Sequence, residues 1–111
     1  MTSLIMAGNI MKTNIGKHIR SLRNQREETL HNVSMGTDID SPLLSKIERG
    51  ERLPTKEQLI KLANHFEQNE KELIAKLTAE KIIRDYGTNN ETLDAILIVQ
   101  EQIVNYLKKN K

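Results

Sequence analysis

The stretch Leu44-Ser45-Lys46-Ile47-Glu48-Arg49-Gly50-Glu51-Arg52-Leu53-Pro54-Thr55 decides the fold. Leu44 and Ile47 lie three residues apart, on one face of a helix, and Gly50 supplies a natural stop just beyond them. Leu53-Pro54 then turns the chain. Thr55-Lys56-Glu57-Gln58 is a capping box, in which the Thr oxygen accepts from the N3 amide and the Gln side chain reaches back to the Thr amide. A short helix therefore ends, a loop carrying Arg49 and Arg52 follows, and a new helix begins. Immediately upstream, Asp40 can cap the short helix, with Ser41 and Pro42 in its first turn, where the missing N–H of proline costs nothing.

Outward from this stretch the same periodicity continues. Thr29 can cap a preceding helix carrying Leu30, Val33 and Thr37. Asn14 can cap the first, whose stripe is Ile15, Ile19, Leu22 and Arg26. Downstream, Leu59, Leu62, Ala63 and Phe66 mark a fourth helix. Asn69-Glu70-Lys71-Glu72 opens a fifth, which runs through Leu73, Ile74, Leu77, Ile82, Ile83 and Tyr86 to Gly87. Thr88-Asn89-Asn90-Glu91 opens a sixth. Strand alternation and Asn-Gly or Asp-Gly hairpin turns are absent from the sequence. The expectation is an all-α protein of about six helices, with residues 1–13 as an N-terminal arm, 14–74 as a five-helix domain and 75–111 as a helical extension.

The chain has 111 residues, a size at which one core is the default. Its 17 Lys+Arg against 15 Asp+Glu give a net charge of only +2, so the distribution carries more than the sum. Residues 1–26 hold Lys12, Lys17, Arg20, Arg23 and Arg26 and no acid, whereas the remainder is mixed. A basic first helix before a mixed body suits a face turned to a polyanion; a solvated helix face is the plainer alternative. The longest apolar run, Ala95–Val99, falls far short of the roughly 20 residues a membrane span needs. No cation precedes Leu4-Ile5-Met6, so a signal peptide is not expected. The chain contains no cysteine, which excludes a disulfide or thiol chemistry and agrees with a cytoplasmic protein. His18, His31 and His65 fall on three different helices without metal-ligand spacing, and no P-loop, dinucleotide fingerprint or nucleophile elbow occurs. Neither a metal, a cofactor nor an enzymatic activity is expected.

Two short helices joined by three or four residues, inside a five-helix block, follow the plan of a helix-turn-helix. Val33, Ile39, Leu44 and Ile47 would pin the pair, with Thr37 a weaker fifth and Ser34 the small residue between them. Ile15-Gly16-Lys17-His18-Ile19-Arg20-Ser21-Leu22-Arg23 together with Leu44 to Thr55 resembles the Xre family of lambda-repressor-like, Cro-type domains, and the likeness runs from Ile15 to Ile74 without a gap. The resemblance implies a third helix lying in the DNA major groove, with Ser41, Pro42, Ser45 and Lys46 at the base-reading positions. It implies phosphate contacts from Lys17, Arg20, Arg49 and Arg52 and from amides opening the second helix. It also implies a structural ion pair between Arg23 and Glu48. Three departures stand out: Leu30 where a polar residue is usual, Asp38 at the turn glycine, and Glu27-Glu28 after the first helix. Four acids against two bases between Asp38 and Glu51 weigh against tight phosphate binding.

In the extension, Leu93, Ile96, Leu97, Ile103, Val104 and Leu107 follow helical spacing, widened by Ile98 and Val99. A helix so apolar must bury two sides, either on Leu77, Ile82 and Ile83 of its own chain or, the favoured expectation, in a homodimer. The leading expectation is a non-enzymatic transcriptional regulator, a repressor, that binds double-stranded DNA at a palindromic operator. The alternatives are an antitoxin or restriction–modification controller with a protein partner, and an interaction module that has lost DNA binding.

Overall fold

In the computed structural model, which describes residues 14–110, six helices follow one another: α1 (Ile15–Gln25), α2 (Leu30–Thr37), α3 (Ser41–Glu48), α4 (Lys56–His65), α5 (Glu70–Tyr86) and α6 (Asn90–Lys109). There is no strand among the described residues. The fold is all-α, with a helical extension beyond the first five helices. The arm expected for residues 1–13 lies outside the described residues.

The helix starts are those the side chains dictate. Asn14, Thr29, Asp40, Thr55 and Asn89 each accept a hydrogen bond from the amide three residues ahead, leaving fewer bare N–H groups in the first turn. Thr55 and Gln58 close the expected capping box, and Thr29 does the same with Asn32. The sixth helix is capped by Asn89 rather than Thr88, because it is the Asn89 carboxamide that meets the Thr92 amide, at 2.8 Å.

The helix ends share one device. After α1, α3 and α4 the chain turns through a left-handed residue: Glu27 (φ 53°), Gly50 (φ 76°) and Glu67 (φ 56°). Each end carries the paired bonds of a Schellman turn, for example Gly50 N to Ile47 O at 3.0 Å and Glu51 N to Lys46 O at 3.0 Å. Glycine adopts this conformation freely at residue 50. The two glutamates hold it against a steric penalty of about 1 kcal/mol each.

The described residues form two compact units, the first ending at Glu80 and the second beginning at Lys81. In the first, Ile15, Ile19 and Leu22 of α1, Val33 of α2, and Leu44 and Ile47 of α3 meet Leu59, Leu62, Ala63 and Phe66 of α4 in a single buried core. The unit reaches beyond residue 74, where its boundary was expected. Leu77 is one helical turn past Leu73 on the same face and is only 2% exposed. Glu80 then accepts a hydrogen bond from the Ile15 amide at 2.7 Å, tying α5 to the start of α1. At Gly16 the backbones come so close that an added Cβ would overlap the carbonyl oxygen of Ile47. That contact sets how α1 crosses the end of α3. In the second unit no residue of α6 is buried.

Candidate nucleic-acid interface

The turn between α2 and α3 is three residues, and each has a separate task. Asp38 takes the left-handed conformation (φ 59°, ψ 30°), Ile39 drops into the core, and Asp40 caps α3 through Leu43 N at 2.8 Å. Aspartate replaces the usual glycine at 38 because its short polar side chain tolerates this conformation better than most. Thr37 is buried, and its hydroxyl donates to Val33 O at 2.7 Å, so burial leaves no unpaired polar atom there. Val33, Ile39, Leu44 and Ile47 are all buried, and Ser34 is half-buried.

On α3, Leu44, Ile47 and Glu48 point inward. Pro42 and Lys46 are exposed, and Ser41 and Ser45 are half-buried. The four positions at which reading side chains were expected therefore share the outer side of one helix. Glu48 is 4% exposed and would be costly there alone. Arg23 answers it with a bidentate pair, Nε donating to Oε2 at 2.7 Å and Nη2 to Oε1 at 2.9 Å. Its remaining Nη1 donates to Glu28 O at 3.0 Å. Hydrogen bonding to Glu48 raises the Arg23 pKa further above its already high ordinary value. Arg20, more exposed, reaches the same carboxylate at 3.4 Å. The arrangement braces the end of α3 against α1, and orientation of the helix is its clearest consequence.

The cations divide into two groups. Lys17 and Arg20 are exposed on α1, three residues apart and on neighbouring faces. Arg49 and Arg52 are exposed in the segment after α3. Arg49 is already engaged: Nε donates to Glu51 Oε2 at 2.6 Å and Nη1 to the hydroxyl of Ser45. The Arg49 hydrogen bond holds the Glu51 carboxyl below its ordinary pKa. Of the four acids between Asp38 and Glu51, Glu48 and Glu51 are thus matched by Arg23 and Arg49. Asp38 and Asp40 remain as the exposed acids flanking the face.

At the start of α2, Thr29 Oγ1 takes the Asn32 amide at 3.0 Å, so this amide is committed to the cap. Leu30, where a polar DNA contact is usual, packs on the core instead. His18 has a pKa lowered by burial and by Lys76 nearby, and its neutral ring adds no positive charge to the α1 face.

One cluster had no signal in the sequence. Glu28 Oε1 lies 2.7 Å from His65 Nε2, Glu28 Oε2 lies 3.0 Å from Arg26 Nε, and Arg26 Nη1 donates to His65 O at 2.6 Å. The Arg26 guanidinium also sits over Phe66, 5.7 Å from the ring centroid. These contacts tie the α1–α2 turn to the end of α4. Glu28 and His65 are 37 residues apart, and no local pattern links them. Among the described residues no group of three His, Cys, Asp or Glu side chains is placed to hold a metal. No described helix is long and apolar enough to cross a membrane.

A short helix, a left-handed turn and a second helix, whose outer side is polar and whose inner side is braced by the body, define a helix-turn-helix DNA-binding domain. The family model described as "Helix-turn-helix domain" matches residues 16–77, more than half of the chain. The chain belongs to that family, and its helix-turn-helix is Xre-like. No curated protein matches the chain.

Proposed function

We propose that the protein is a sequence-specific transcriptional regulator, a repressor, which binds a palindromic operator as a homodimer with α3 of each copy in the major groove. The observation that carries this reading is the outer face of α3. Ser41, Pro42, Ser45 and Lys46 are presented together, and the Arg23–Glu48 pair fixes the helix that presents them. Lys17 and Arg20 on one side and Arg49 and Arg52 on the other would take phosphates. Serine, proline and a single lysine offer few bidentate partners to bases, so DNA shape carries much of the specificity. The exposed apolar residues of α6 support pairing of two copies, which would set two recognition helices about 34 Å apart and raise a modest half-site affinity by avidity. The reading is non-enzymatic. The same apolar helix favours one second reading, a regulator of the antitoxin or controller type whose α6 takes a different protein.

The test is a gel-shift titration on the DNA upstream of its own gene at two salt concentrations, with a random duplex as control. Preferential binding that falls steeply with salt is the expected result. The variant Lys46→Ala should weaken binding about tenfold with helicity unchanged. Equal affinity for both duplexes, or an unaffected Lys46→Ala, overturns the groove placement.

A further inference from the structure

The apolar surface of α6 is two stripes rather than one. Thr92, Ile96, Val99, Ile103 and Tyr106 repeat at alternating spacings of four and three, and so do Leu93, Leu97, Gln100, Val104 and Leu107. Each is a heptad seam, and the two lie side by side on the helix. The upper part of the first stripe, Thr92, Ile96 and Val99, lines an apolar groove together with Ile82 and Tyr86 from the end of α5. In the second stripe, Leu93, Leu97 and Leu107 are 53 to 57% exposed and Val104 is 42% exposed.

The geometry points to the second stripe as the seam for α6 of a second copy, running antiparallel. This inference rests on the dimeric reading above and specifies its interface. The argument is charge. Asp94, Glu101 and Lys108 follow one another at seven-residue spacing along the edge of this seam. The first turn of α6 carries Glu91, and its last turn carries Lys108 and Lys109. A parallel pair sets like charge beside like charge at both ends. An antiparallel pair sets Asp94 of each copy beside Lys108 of the other, and it also opposes the helix dipoles. The same register lays Leu97 over the partner's Leu107 and brings each Glu101 near its own copy across the two-fold axis. Gln100 interrupts the apolar seam. In this register it lies over the partner's Val104. A two-fold antiparallel pair uses the same patch on both copies and closes on itself.

Three substitutions follow. Asp94→Lys should weaken the dimer about threefold to tenfold, adding Lys108→Asp should restore it, and Glu101→Gln should tighten it. The decisive experiment uses the absence of native cysteine. Full-length Leu97→Cys and Leu107→Cys chains, one carrying a size tag, are mixed and oxidised. Their mass is followed by light scattering and their DNA binding by gel shift. The antiparallel seam gives disulfide-linked mixed dimers. It leaves Leu97→Cys unlinked to itself, since ten residues of helix is about 15 Å, well beyond disulfide reach. Self-linked Leu97→Cys and Leu107→Cys dimers overturn the orientation. A dimer without any linkage overturns the seam while leaving the dimeric reading intact. A monomer at all concentrations overturns both, and the gel shift then reports separately on the DNA-binding reading.

Discussion

Leu62 in α4 and Leu97 in α6 are both mid-helix leucines with apolar neighbours a turn away, yet Leu62 is fully buried and Leu97 is 53% exposed. The difference runs through the two units that contain them. Between residues 14 and 80, nearly every apolar side chain of the helical stripes faces another helix of the same unit. Between 81 and 110, α6 carries a comparable density of apolar residues and buries none. The first unit has the composition of a folded body. The second carries an apolar stripe that stays exposed to water, at a cost of roughly 25 cal/mol per Å².

Four measurements would break or sharpen that contrast. The largest effect belongs to the first unit. Glu48→Ala leaves the Arg23 guanidinium, 15% exposed, without its carboxylate, and should cost about 3 kcal/mol in urea unfolding. Loss of less than about 1 kcal/mol would mean that α3 is held by apolar contacts alone. Next comes Leu97→Glu in the second unit. It should yield a monomer by light scattering and weaken operator binding about a hundredfold, while the unfolding of residues 14–80 stays unchanged. A dimeric Leu97→Glu would make α6 an ordinary surface.

Smaller effects probe the frame of the first unit. Glu67→Gly should stabilise it by about 1 kcal/mol by relieving the left-handed glutamate after α4, a gain read directly from the urea midpoint. The smallest is a pH effect. His18 binds its proton less readily in the folded than in the unfolded chain, since burial and then Lys76 lower its pKa below 6.5. The unfolded state therefore holds more protons once pH falls below about that value. Stability should be complete above it and decline slightly as pH drops through it. His18→Gln should flatten this slope, and an unchanged slope would locate the sensitivity elsewhere.

Helix starts were legible because caps act over three residues, and Asn14, Thr29, Asp40 and Thr55 each stand where the bond forms. The buried stripe was legible for the same local reason. Glu27 and Glu67 were harder: nothing in a glutamate announces a left-handed turn, and only the converging carbonyls after α1 and α4 impose it. A count of the acids around α3 along the chain does not show their partners. Folding buries Glu48 under Arg23 and pairs Glu51 with Arg49, so the outer face is less acidic than its composition.

Period and capping, which depend on neighbours within one or two turns, determine that this chain is helical, where its helices begin and which residues form the core. Period and capping do not determine which distant groups meet; of these, only the Arg23–Glu48 pair was expected, and that from the family resemblance rather than from any local pattern. The bonds from Arg23 to Glu48, Glu28 to His65 and Ile15 to Glu80 join residues 25, 37 and 65 positions apart. Such partners are chosen by how whole helices cross, and the close approach of Gly16 to Ile47 is where one of those crossings is set.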